Sequence, residues 1–147
     1  MKNILLILFL LTSSICLCQN EFSNSENKIE INVDKTIFVH QQGDSYFSEN
    51  EESSFQAKLI PMSYEMLKAN MNSASEGILD KGELIIEGIK ILYVKRLSDD
   101  MNNIILIYLK ENDEKSSLSF ISFYPKEKEN YYKPIIEMAF VSTKIKI

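Results

Sequence analysis

His40 is the only histidine among the 147 residues, and it is the first candidate for a general base or a metal ligand. It has no second histidine to complete a zinc site, and the two cysteines, Cys16 and Cys18, lie in the N-terminal apolar segment. Placed where a β-branched strand meets a polar loop, His40 reads as a surface or turn residue. The carboxylates gather in three loops: Asp44, Glu49, Glu51 and Glu52; Asp99 and Asp100; Glu111, Asp113 and Glu114. Oxygen-rich loops could hold calcium, but none has the D-x-D-x-D-G spacing that shapes an EF-hand. A glycosidase needs two carboxyl groups across a cleft, and no spacing identifies such a pair. The loops read as a solvated acidic surface. Serine chemistry fares no better. There is no G-x-S-x-G elbow, and the single S-x-x-K match, Ser25 to Lys28, lacks its S-D-N and K-T-G companions. With four glycines and no G-x-G-x-x-G or Walker loop, a phosphate cradle is not expected. The sequence therefore yields no catalytic, cofactor or metal residue. Tyr131 and Tyr132 stand as candidates for surface recognition, since tyrosine suits interfaces. Their helical spacing to Ile135 and Ile136 expects one of the two in the core.

Sixteen basic against 21 acidic residues give a net charge of −5, too acidic for a nucleic-acid binder that neutralises phosphates. The chain has the length and the apolar and charged balance of one globular domain. Its first residues do not fit that domain. Lys2, the apolar run Ile4 to Leu11 and the exit Ser13 to Cys18 have the layout of a secretory signal peptide, with Cys16 and Cys18 at the −3 and −1 positions. Cleavage between Cys18 and Gln19 is expected, and with it export to the periplasm or the medium. A lipid anchor on a cysteine is the second expectation, because bulky Ile15 and Leu17 precede the two cysteines. No later stretch is long enough to span a bilayer. Loss of residues 1–18 removes both cysteines, leaving packing rather than disulfides to stabilise the fold. Residues 19–27, rich in Asn, Ser and Glu, read as a tether, and residues 28–147 as a single domain.

Within that domain the pattern alternates between sheet and helix. Residues 28–33 alternate strictly, with Ile29, Ile31 and Val33 on one face, and residues 36–40 form a second strand. Residues 41–54 read as a long loop in which Tyr46 and Phe47 tuck back to the core. A third strand runs over residues 55–60 and stops at Pro61. Ser63 caps a helix over residues 64–74, with Tyr64, Leu67, Met71 and Ala74 on its apolar face. Residues 83–124 then carry three apolar strands in a meander. Gly88 interrupts the first of them, which predicts a bulge or sharp bend. Residues 104–109 are apolar on both faces and need cover on both. Asn130 caps a final helix over residues 131–143, with Pro134 in its first turn and Met138 widening its apolar face. The tail from Lys144 to Ile147 is expected to add an edge strand or to fray. The order β-β-β-α-β-β-β-α predicts an α+β domain with a mainly antiparallel sheet of about six strands.

That order resembles the PsbP-like superfamily, which includes the DcrB-like exported bacterial proteins. The resemblance rests on a strand ending near Pro61 before the helix from Ser63, and on the pair Glu83 to Gly88 and Ile89 to Lys95. The strand closing Ser122-Phe123-Tyr124-Pro125 and a last helix running into Ser142-Thr143-Lys144-Ile145 complete it. It implies an αβα sandwich and an accessory or binding role without catalysis. The superfamily also includes the extrinsic photosystem II protein, but the resemblance transfers no site, because that protein's metal-binding histidines have no counterpart here. The expected function is an exported, non-enzymatic accessory or binding domain of the bacterial envelope, with an unidentified protein or small ligand as partner and no cofactor. The alternative is an exported hydrolase using the loop carboxylates.

Overall fold

The structure is a computed structural model, and it describes residues 29–73 and 77–145. The Cys18–Gln19 cleavage site, the tether, the Ser25 to Lys28 match, Ala74 and the last two residues lie outside the described residues. In chain order the elements are β1 (Ile29–Glu30), β2 (His40–Gln42), β3 (Ser45–Phe47), β4 (Ser54–Ile60), α1 (Tyr64–Ser73), β5 (Ile78–Ile86), β6 (Ile89–Leu97), β7 (Asn103–Asp113), β8 (Ser116–Pro125), α2 (Glu129–Ser142) and β9 (Lys144–Ile145). One 3-10 turn, Lys126–Lys128, leads into α2. Seven strands form one antiparallel sheet in the order β2-β3-β4-β8-β7-β6-β5, and β1 pairs with β9 in a separate ribbon. The fold is α+β, with α1 and α2 on opposite faces of the sheet.

Alternation along β7 fixes the two layers. Ile104, Leu106 and Tyr108 enter the core under α2, together with Phe55, Phe120, Ile136 and Phe140. Phe55 stacks on Phe120 at 4.5 Å and meets Phe38 edge-on at 4.7 Å. The opposite face of β7 presents Ile107 and Leu109 to a smaller core built on Tyr64, Leu67 and Met71 of α1. Ser63 supports the start of α1 by accepting the Met66 N–H at 3.4 Å. The doubly apolar strand thus receives the two-sided cover its sequence demands.

Several sequence expectations are corrected. Of the strand expected over residues 28–33, only Ile29–Glu30 pairs, and its partner is β9 rather than the main sheet. Ile31 and Val33 still pack on the core under α2. The second strand starts at His40 because Asp34 coils the chain before it. The Asp34 side chain accepts from the Thr36 N–H at 2.9 Å and hydroxyl at 2.6 Å, and its carbonyl accepts the Ile37 and Phe38 N–H groups. The expected loop over residues 41–54 contains the β2–β3 hairpin, turned at Gly43 with φ +58°. Tyr46 does tuck back, stacking on Phe55 at 4.9 Å.

Gly88 does not bend one strand; it ends the reversal between two. Ile86 pairs with Ile89, and Glu87 (φ +50°) and Gly88 (φ +82°) form a two-residue turn of the primed type. The final helix begins at Glu129, behind the 3-10 turn, and its N-cap Lys128 makes no side-chain cap bond. Asn130 therefore lies inside the helix, and Pro134 stands beyond its first turn. The N–H that Pro134 lacks would have gone to the carbonyl of Asn130, an exposed residue that water can serve. Met138 points outward and is 74% exposed rather than widening the apolar face. The far end of α2 is closed by Lys110, whose buried Nζ donates to the carbonyls of Phe140, Val141 and Thr143 at 3.0, 3.1 and 2.5 Å.

Candidate functional site

α1 has ten residues, so it is about 15 Å long and about 10 Å wide. The sheet it lies on has seven strands and is about 29 Å across. One such helix cannot cover that face. Its packing partners are Leu92 and Val94 of β6, Ile107 and Leu109 of β7, and Ile60 with Met62 after β4. Its polar ties run to β5: Lys68 and the Tyr64 hydroxyl reach Glu83 at 2.8 and 2.9 Å, and Lys81 Nζ donates to the Met71 carbonyl at 3.0 Å. The cover extends over one end of β4 and β8, where Ile60 packs on α1 and Ser117 and Ser119 are buried; the other end of these two strands, with β3 and β2, is left without a helix on this side.

The register shows what they present. Ile105 pairs with Phe123, Phe123 with Ser54, and Ser54 with Phe47. One row further along, Ile107 pairs with Ile121 and Ile121 with Gln56. Phe47, Ile105, Ile121 and Phe123 therefore share the α1 face, and they belong to neither core. Phe123 is 36% exposed. Arg96 stands at one end of the first row, opposite Ile105, and His40 at the other, opposite Phe47. Phe47, Ile105 and Ile121 are half-buried, so the result is a partly open apolar row whose exposed member is Phe123, with Arg96 and His40 at its two ends. Its chemistry is contact rather than catalysis, since it exposes hydrocarbon and aromatic surface with few polar groups converging.

This surface was not legible in the sequence as a site. The pattern marks the meander as core, and so points away from it. The available signal was the alternation of β8, where Phe120 and Phe123 fall on opposite faces, set against a single short helix before the meander. His40 ends up on the edge of the strip, exposed, and the described residues include no other histidine and no cysteine. Among the described residues no three His, Cys, Asp or Glu side chains gather as metal ligands.

The two candidate tyrosines part company. Tyr132 is buried, and its hydroxyl donates to Glu52 at 2.6 Å. Burial, and then that carboxylate, pushes its pKa up to about 12. Tyr131 is 54% exposed and lies edge-on to Tyr132 at 4.9 Å. With exposed Pro134 and Met138 it makes a second apolar strip, at i, i+3 and i+7 on the outer side of α2.

The loop carboxylates at the two ends of β7 do not converge. Asp99 and Asp100 precede β7 and Asp113 ends it, so eleven residues of strand, about 34 Å, separate them. The hydroxyl of Ser98, then the N–H of Asn102, hold the Asp100 carboxyl below the usual range. The hydroxyl of Ser116, then the N–H of Lys115, do the same for Asp113. Lys128 and then Tyr132 lower Glu52. A general acid at neutral pH needs the opposite shift. These carboxylates shape turns and tie the loop at Glu52 to α2. The open depression of about 490 Å³ is lined by Leu59, Pro61, Asp113, Glu114, Lys115 and Ser116, and the Ser116 hydroxyl is engaged as a donor to Asp113 at 2.7 Å.

Comparison with known proteins bears on shape. No family model matches the chain, and no curated protein matches its sequence. In structure it is similar to cyanobacterial PsbP (CyanoP) from Synechocystis sp. PCC 6803, with a TM-score of 0.48 and 9% identity over 81% of this chain and 93% of that one. No helix among the described residues is long and apolar enough to cross a membrane.

Proposed function

We propose that the protein is a non-enzymatic binding domain, exported to the bacterial envelope, whose contact surface is the open sheet face beside α1. The observation that carries this reading is the row Ile105, Phe123, Ser54 and Phe47, which places apolar side chains side by side outside both cores. A domain with spare apolar residues buries them; an apolar row left partly open at Phe123 supports a contact site there. Export is supported by Lys2, the apolar run from Ile4 and the Cys18–Gln19 junction, with lipidation of a cysteine as the second route. The strip of Tyr131, Pro134 and Met138 is a second candidate contact, on the opposite side of the molecule.

A photoreactive phenylalanine analogue separates the two. Placed at position 123 in cells, it should give discrete adducts on irradiation, and at position 131 it should give fewer or none. Adducts from position 131 alone would move the contact to α2, and silence at both positions would sink the binding reading. Fractionation of the same cells should find the chain outside the cytoplasm, and the intact mass should correspond to a start at Gln19 rather than to a lipidated cysteine.

A further inference from the structure

The sheet ends on a long strand with one unpaired side. β5 lies at the edge of the seven-stranded sheet, bonded to β6 alone, and its outer side makes no backbone hydrogen bond among the described residues. We infer that this edge pairs with the same edge of a second copy of the chain, in an antiparallel two-fold centred on Gly82. The pairing is independent of the sheet face beside α1. β5 has nine residues and no proline, so a row of backbone donors and acceptors faces outward. The opposite edge, β2, has three residues and offers no comparable ladder. Two large apolar side chains of β5 are exposed as well, Leu79 at 53% and Ile85 at 68%. Leu79 has no register partner on β6, because the register shifts between Ile78 and Asp80. Unmet backbone and unmet hydrocarbon therefore lie along one edge.

Register and charge select the occupant. Residues directly opposite in an antiparallel pair share a face, so a two-fold normal to the sheet must pass between a residue and its own copy. Centres at Asp80, Lys81 or Glu83 oppose like charges. A centre at Leu84 sets Glu83 against Ile85 and joins no opposite charges. Gly82 is the midpoint of β5, and a centre there overlaps the whole strand. It sets Lys81 against Glu83 twice, and Leu79 against Ile85 twice. Asp80 falls opposite Leu84, its carboxylate already bonded by the Tyr93 hydroxyl at 3.1 Å. Lys81 and Glu83 are both held on the α1 face, the first by the Met71 and Asn72 carbonyls and the second by Lys68 and Tyr64. Gly82 itself answers to Tyr93, whose ring a Cβ would meet at 3.2 Å, so the charges and not the glycine pick this register. Room is not limiting. α1 packs over β6 and β7, so the two α1 axes stand about 19 Å apart, beyond the 8–10 Å at which helices touch. The two-fold also keeps both Phe123 side chains on one face of the joined sheet, about 34 Å apart.

A single strand seam is a small interface, so the dimer should be weak, with a dissociation constant on the order of 10 μM. Sedimentation of the purified chain at a series of concentrations should show monomer giving way to dimer in that range. Ile85→Lys, at an exposed site, should weaken the dimer roughly ten-fold or more. Lys81→Glu and Glu83→Lys should each weaken it too, because each sets like charges across the seam. Mixed one to one, those two variants should recover the dimer, since every 81–83 pair is then of opposite charge. A variant that had only loosened its own tie to α1 would not be rescued by mixing, and circular dichroism should show each variant folded. A chain that stays monomeric up to roughly 500 μM, a dimer that tolerates Ile85→Lys, or mixing without recovery overturns the inference. Adducts from position 123 are read separately, so a monomer that still cross-links there leaves the sheet face as the contact surface.

Discussion

Glu87 and Gly88 show how much one backbone angle decides. Both residues of the β5–β6 turn have positive φ, and a Cβ on Gly88 would meet nothing within 4 Å. Any cost of a side chain there is conformational, not steric crowding by neighbours. Gly88→Ala should therefore destabilise the fold by about 1–2 kcal/mol, the penalty of holding an L-residue in the left-handed region. Glu87 is the less suited of the pair, since Asn-Gly is the preferred sequence for this turn. Glu87→Asn should stabilise by a few tenths to about 1 kcal/mol. Urea unfolding of both variants checks the signs. An unchanged midpoint for Gly88→Ala would remove the requirement for positive φ. The sequence marks this glycine as a break without revealing its kind, because a bulge and a hairpin turn both use glycine in an apolar run.

At the scale of elements, β8 carries the clearest contrast. Phe120 is fully buried, stacked on Phe55 and tilted against Phe140 at 5.5 Å, while Phe123 looks out from the other face. Phe120→Ala should cost about 3–5 kcal/mol by leaving a cavity, and Phe123→Ala under about 1 kcal/mol. Equal losses in thermal or urea unfolding would mean that Phe123 is packed, and the open face would not exist. The same strand shows where sequence reading stops. Strands β6, β7 and β8 and both helices are legible, because each is an apolar run or carries the period of its type over six or more residues. The short strands are not. β1, β2 and β3 have two or three residues each, and turns at Asp34 and Gly43 set their limits. The uncovered face is less legible still, since an apolar residue in a strand reads the same whether a helix covers it or not. Only the comparison of helix length with sheet width distinguishes the two, and that needs the strand order.

For the molecule as a whole, buried hydroxyls and one buried ammonium set how stability responds to alkali. Tyr64, Tyr108, Tyr124 and Tyr132 all have pKa values raised above 10, burial being the largest cause in each. Carboxylates add to it: Glu83 beside Tyr64, Glu137 at 2.5 Å from the Tyr108 hydroxyl, and Glu52 beside Tyr132. Above pH 10 the unfolded chain gives up these phenolic protons while the folded chain keeps them. The unfolded state then binds fewer protons, and stability falls with rising pH. Lys110 acts in the opposite sense. Burial pushes its pKa down to about 8, so between pH 8 and 10.5 the unfolded chain holds a proton that the folded chain has released. Its contribution rises with pH across that window. The balance predicts unfolding free energy that holds or climbs slightly from pH 8 to 10, then drops steeply. Urea titrations at a series of pH values, with tyrosinate absorbance followed in the folded protein, read both limbs. Lys110→Met should flatten the first limb and leave the second. The second limb depends on both tyrosine-bearing layers staying closed, with Tyr64 on the inner face of α1, Tyr132 on the inner face of α2, and Tyr108 and Tyr124 beneath α2. A steady decline starting at pH 8 would mean that the Lys110 ammonium keeps its proton in the fold, its three carbonyl partners outweighing burial.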